Sequence, residues 1–87
     1  MHTSGLVVTF AEDPALARRA QRELTTAEPF TLGPAAGPRR AATLEVADPK
    51  AAHDWHEWAA ALAGVIAVEV VFVHWDDVEQ EVSHAGA

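Results

Sequence analysis

The chain has no cysteine and no tyrosine among its 87 residues. Without cysteine it cannot form a disulfide framework, a thiolate zinc site or an iron–sulfur site. Small secreted domains usually depend on disulfides, so this absence favours a reducing compartment. Its two serines, Ser4 and Ser83, lie outside any Gly-x-Ser-x-Gly motif, and there is no Gly-rich phosphate loop. We therefore expect a cytoplasmic protein that is not an enzyme and that uses no cofactor.

Long apolar segments are also missing. The longest uncharged apolar stretch covers 11 residues, from Trp58 to Val68. A helix that crosses a bilayer needs ~18 or more such residues. The N-terminal segment has no basic region before its short apolar run, unlike an export signal. We expect no membrane insertion.

Basic residues are scarce, with 6 lysines and arginines against 13 acidic residues and a net charge of −7. Most of the negative charge lies in the second half of the chain, because residues 41–87 contain one lysine and nine acidic residues. Such a surface repels the phosphates of nucleic acids. It attracts a basic peptide or a basic protein surface instead.

Segments whose apolar residues recur at every second position, as in strands, alternate along the chain with segments where they recur every three or four positions, as in helices. The predicted elements are, in chain order, strand 6–11, helix 14–27, strand 30–32, strand 40–47, helix 49–63 and strand 65–75. Both helices follow an Asp-Pro pair, Asp13-Pro14 and Asp48-Pro49, which suits an N-cap and a first helical position. The order β-α-β-β-α-β predicts a ferredoxin-like α+β fold, the split βαβ sandwich. We expect a four-stranded antiparallel sheet of order 4-1-3-2, with both helices on one face.

The domain organisation follows from the same pattern. Residues 1–75 are predicted to form the single domain. Residues 76–87 are polar and acidic, and they are predicted to form a disordered tail.

Strand residues point alternately to the two faces of a sheet. The set expected to pack against the helices is Leu6, Val8, Phe10, Phe30, Leu32, Leu44, Val46, Ile66, Val68, Val70 and Phe72. The opposite set forms an uncovered surface, called the open face below: Val7, Thr9, Thr31, Thr43, Glu45, Ala67, Glu69, Val71 and Val73. This open face is apolar and β-branched, with two carboxylates.

An uncovered apolar face is seldom left to water, and two occupants are consistent with the sequence. In the first, two copies stack sheet to sheet as a homodimer. In the second, a peptide or helix docks, and its Arg or Lys side chains pair with the two carboxylates. The candidate peptide-binding residues are Val7, Thr9, Glu45, Glu69, Val71 and Val73. Trp75 could border the same face.

Two local motifs are interpreted as ordinary surface features. His53, His56 and Glu57 lie within one helical turn, but their order matches neither helical zinc pattern. They also fall on the polar side of the predicted helix, so we expect no metal site. The pair Arg39-Arg40 lies in mid-chain and is interpreted as the charged end of a hairpin strand.

Two segments carry a resemblance to a known family. Ser4-Gly5-Leu6-Val7-Val8 resembles the Ser-Leu-Val-Val first strand of the NapD family. Gly64 to Phe72 resembles its Gly-Val-Leu-x-x-x-Leu-Val-Tyr final strand. The chain length, the element order and the acidic C-terminal residues are also similar, so the resemblance covers most of the chain. A Gly-Val before the fourth strand is also found in amino-acid-sensing ACT domains.

NapD proteins are cytoplasmic chaperones for the catalytic subunit of periplasmic nitrate reductase. The resemblance implies that this chain binds the twin-arginine signal peptide of such a precursor, as a helix on the open face, and delays export until the cofactor is inserted. The alternative is a homodimeric, ACT-like module that senses a ligand or mediates protein interaction. In that case the open face is buried between two copies.

Overall fold

The computed structural model describes residues 1–75, so the predicted tail at 76–87 lies outside the described residues. The elements are β1 (His2–Phe10), α1 (Pro14–Thr26), β2 (Phe30–Ala36), β3 (Arg39–Val46), α2 (Pro49–Ala60) and β4 (Val65–Trp75). This order confirms the predicted β-α-β-β-α-β pattern and the ferredoxin-like α+β fold.

Both helices begin at the predicted Asp-Pro pairs. Asp13 Oδ1 accepts hydrogen bonds from the backbone N–H groups of Ala15 at 2.9 Å and Leu16 at 3.3 Å. Asp48 Oδ1 accepts one from Ala51 at 2.8 Å. Each carboxylate thus satisfies amide groups that have no partner inside the helix.

The second helix ends earlier than predicted. It stops at Ala60, where we expected position 63, and Ala61 is its C-cap. Gly64 is the last residue of the turn that follows, and its φ is +95°. A Cβ at this position would collide with the carbonyl of Leu16, so glycine is required both by its φ and by the close approach of α1.

The four strands form one antiparallel sheet in the order β2-β3-β1-β4, which is the predicted order. The hairpin between β2 and β3 is tighter than expected. The predicted strands covered 30–32 and 40–47, but β2 continues to Ala36 and the chain reverses at Gly37, whose φ is +61°. A register shift between Leu32 and Ala35 accommodates Gly33-Pro34 inside the strand.

The core lies between the helices and one face of the sheet. Its buried members are Leu6, Val8, Phe10, Ala20, Leu24, Phe30, Ala42, Leu44, Val46, Ala52 and Ala59. Leu32 and Val68 are partly buried against it. The Phe30 ring packs edge-on to Trp55, with ring centroids 5.9 Å apart, and Trp55 also meets Trp58 at 5.3 Å.

Three residues predicted for the core are exposed: Ile66 at 65%, Val70 at 51% and Phe72 at 51%. The register of β4 explains the exposure of Ile66 and Phe72. Val70, in contrast, pairs with Leu6 on the helix side and is left uncovered there. Thr9 pairs with Ala67 and Phe10 pairs with Val65, so Ile66 is an extra, unpaired residue. A second shift leaves Val71 without a partner on β1, since Leu6 pairs with Val70 and Gly5 with Phe72. Both irregularities are β-bulges, which interrupt the alternation of side chains between the two faces of the sheet.

Within residues 1–75, neither helix has the length and apolar character that a membrane crossing requires.

Candidate functional site

The open face consists of the side chains that the sheet turns away from the helices. On β1 these are Thr3, Val7 and Thr9, together with the Cβ-less position Gly5. The register places Glu45 beside Thr3, Glu69 beside Val7, and Arg39 beside Thr9. Five of the six predicted binding residues therefore lie on this face: Val7, Thr9, Glu45, Glu69 and Val71.

The predicted placement of Val73 on the open face is wrong. After the bulge at Val71 the alternation of β4 is reversed, so Val73 pairs with Ser4 and lies on the helix side. Phe72 takes the opposite side and pairs with Gly5 on the open face. Its ring lies directly over Gly5, where an added Cβ would collide with it.

A shallow groove of about 180 Å³ crosses the centre of this face. Small side chains form its floor, because Gly5, Gly33, Ala41 and the two threonines Thr31 and Thr43 line it. Val71 and Phe72 rise along one edge, and both are more than half exposed. A low apolar floor beside an aromatic ridge can accept the apolar side of a helix.

Charged side chains lie at two places on the open face. Arg39 Nη2 lies 3.9 Å from Glu69 Oε1, and both side chains are exposed, at 57% and 62%. Glu45 lies four positions further along β1, on the strand at its other side. From standard strand spacings the two carboxylate-bearing residues are about 16 Å apart.

The two histidines of α2 contact different partners. His53 Nε2 lies 3.2 Å from Glu57 Oε1. His56 Nε2 lies 3.2 Å from the backbone oxygen of Val68 on β4. No group of three or more His, Asp or Glu side chains in the described part of the chain is placed to hold a metal ion.

Sequence reasoning missed Phe72, Gly5 and Arg39 as members of the open face. Gly5 inside an apolar strand was a usable signal, since such a glycine often marks a bulge or a close approach. Trp75 ends β4 opposite His2, and its side chain lies outside what the structure describes.

Comparison with known proteins finds no match to this chain among family models, curated proteins or solved structures.

Proposed function

We propose that the chain is a non-enzymatic chaperone that binds the twin-arginine signal peptide of a periplasmic nitrate reductase precursor and delays its export. The peptide binds on the open face. The observation that carries this proposal is the central groove, where a floor of glycine, alanine and threonine lies beside the exposed Phe72 ring. The resemblance of the first and last strands to the NapD family supports the same assignment.

The apolar part of the peptide supplies most of the affinity. Burying one Val, Leu or Phe side chain is worth about 1.5–3 kcal/mol. An exposed ion pair is worth about 0.2–1 kcal/mol. The hydrophobic segment of a signal peptide therefore lies along the groove as a helix, while its arginines reach Glu69. The net charge of −7 increases the association rate of a basic peptide and makes it sensitive to salt.

Delay of export follows from occupancy. While the signal peptide is held as a helix on the sheet, its arginines and apolar segment are not available to the export machinery. The protein needs no catalytic group for this role, and the time of release depends on the dissociation rate of the peptide.

A second candidate is a homodimeric, ACT-like module that buries the same face against another copy. The exposure of Val71 at 59%, next to the Phe72 ring, favours some apolar occupant and does not distinguish a peptide from a second chain. The two functions compete for one surface, so they exclude each other in a tight complex.

Calorimetric titration with a twin-arginine signal peptide of a periplasmic nitrate reductase tests the proposal. We expect micromolar or tighter binding, which corresponds to about 8 kcal/mol. A control peptide with Arg-Arg replaced by Lys-Lys is expected to bind more weakly, since an ammonium cannot pair in bidentate fashion with a carboxylate. No binding by the folded protein would contradict the nitrate reductase assignment. A dimer in light scattering, together with no binding, would favour the homodimeric module.

A further inference from the structure

A second concave surface lies on the helix side of the sheet, away from the open face. It is a cavity of about 300 Å³ between α2 and residues on the helix side of β1, β3 and β4. Its apolar lining consists of Leu6, Leu44, Ala52, Val70 and Val73. Small-molecule pockets of proteins range from about 300 to 1,000 Å³ and are mostly apolar, so this cavity suits a small ligand.

The cavity exists because α2 presents a small residue at this point. Ala52 lies above Leu6 and Leu44, which are almost fully buried beneath it. Further along β4, Val70 and Val73 face the helix side and yet remain more than half exposed. A ligand that fills the space above them would remove their apolar surface from water, which is favourable.

Among residues 1–75, which the structure describes, no carboxylate lines the cavity. The polar lining consists of His2, Ser4, His53 and His56. Imidazole and hydroxyl groups donate hydrogen bonds, and imidazole becomes a cation when protonated. His56 is held towards β4 by its contact with the Val68 oxygen, and His53 is held by Glu57. Glu57 itself does not line the cavity.

We propose that this cavity binds a small apolar monocarboxylate, such as a short aliphatic or single-ring acid. The hydrocarbon part lies on the floor formed by Leu6 and Leu44, and the carboxylate lies at the rim beside His53 and His56. The site is separate from the open face, so it does not depend on the proposed chaperone function.

An NMR titration of the ¹⁵N-labelled chain with hexanoate tests the proposal, with hexan-1-ol as the uncharged probe of equal chain length. We expect saturable shifts centred on the amides of Ser4, Ala52 and Val70. Hexanoate should bind at least about fivefold more tightly than hexan-1-ol, because charge-assisted hydrogen bonds are stronger than neutral ones. Shifts centred on the open face, equal affinity of the two probes, or no saturable shift with either would overturn the proposal.

Two variants separate the apolar and polar parts of the site. Ala52→Leu should fill the cavity and abolish binding of both probes, while Ala15→Leu on the exposed side of α1 should change neither. If Ala52→Leu does not fold, the His53→Gln variant tests the proposed binding site by itself. That variant removes the imidazole and keeps a similar size, so it should weaken hexanoate binding severalfold and leave hexan-1-ol binding unchanged. An equal effect of His53→Gln on both probes would contradict the carboxylate contact.

Discussion

The ring of Phe72 lies over the backbone of Gly5, its cross-strand partner on the open face. The contact is possible because Gly5 has no Cβ and because the bulge at Val71 turns Phe72 towards this face. An aromatic side chain that covers a glycine on a neighbouring strand compensates for the missing side chain there.

This contact predicts a ring-current effect. The Gly5 Hα proton that points at the Phe72 ring should resonate away from its usual position, because it lies against the ring. The shift is measured by NMR in the free protein and should disappear in Phe72→Leu, which retains an apolar side chain without a ring. Ordinary Gly5 Hα shifts in the unmodified protein would contradict the described contact.

Substitutions at two neighbouring residues of β4 should affect peptide binding differently. Phe72→Ala removes the ridge beside the groove and should weaken binding of the signal peptide by about tenfold or more, given the apolar area lost. Val73→Ala is the matched control, since Val73 is similarly exposed but lies on the helix side. Calorimetry compares the two, and equal losses of affinity would argue against binding on the open face.

Arg39 is expected to compete with the peptide for Glu69. Arg39→Ala leaves the Glu69 carboxylate without this neighbour, so the affinity for a twin-arginine peptide should rise by about 1.5- to 5-fold, the range of an exposed ion pair. Arg19→Ala is a control of equal charge change, because Arg19 pairs with Glu23 on α1 at the same 3.9 Å. An equal increase in both variants would indicate a general effect of net charge.

Glu69→Lys should weaken peptide binding without unfolding the chain. The substitution places a cation beside Arg39 and repels the arginines of the peptide, and its exposed position does not disturb the core. Glu57→Lys on α2 is the control, because it makes the same change of charge on the other side of the sheet. Affinity is measured by calorimetry and folding by circular dichroism, and unchanged affinity in Glu69→Lys would remove this residue from the site.

Three glycines should differ in their tolerance of alanine. Gly64→Ala combines a positive φ with a collision against the Leu16 carbonyl, and should lower the free energy of unfolding by more than about 2 kcal/mol. The added Cβ of Gly37→Ala meets no atom within 4 Å. Only its positive φ is unfavourable, so this variant should lower the free energy of unfolding by about 1–2 kcal/mol. Gly33→Ala makes an ordinary contact at 3.5 Å with Ala41 and should be nearly neutral. Urea denaturation of the three variants tests this order.

The fold was predictable because its signals are local. Asp13-Pro14 and Asp48-Pro49 mark where both helices begin, and each carboxylate makes the expected capping bonds. The alternation of Leu6, Val8 and Phe10 identified the buried side of the central strand β1, and all three are buried. These features depend on neighbours in sequence, so one chain is sufficient to find them.

The candidate site was predictable only in part, because it depends on pairing between strands. A period of two placed Val73 on the open face, but a single extra residue at Val71 reverses every side chain after it. The contact between Arg39 and Glu69 joins β3 to β4 across the intervening strand β1, so no local pattern indicates it.

The two bulges of β4 also affect how this edge strand meets other chains. An exposed apolar strand at the margin of a sheet is a template for intermolecular pairing and for fibril growth. Here the extra residues at Ile66 and Val71 divide the strand into short regular runs of four positions, 67–70 and 72–75. An incoming strand would need matching irregularities to keep its apolar side chains on the correct faces. The irregularity that exposes Phe72 to a partner thus also protects the chain against indiscriminate self-assembly along its edge.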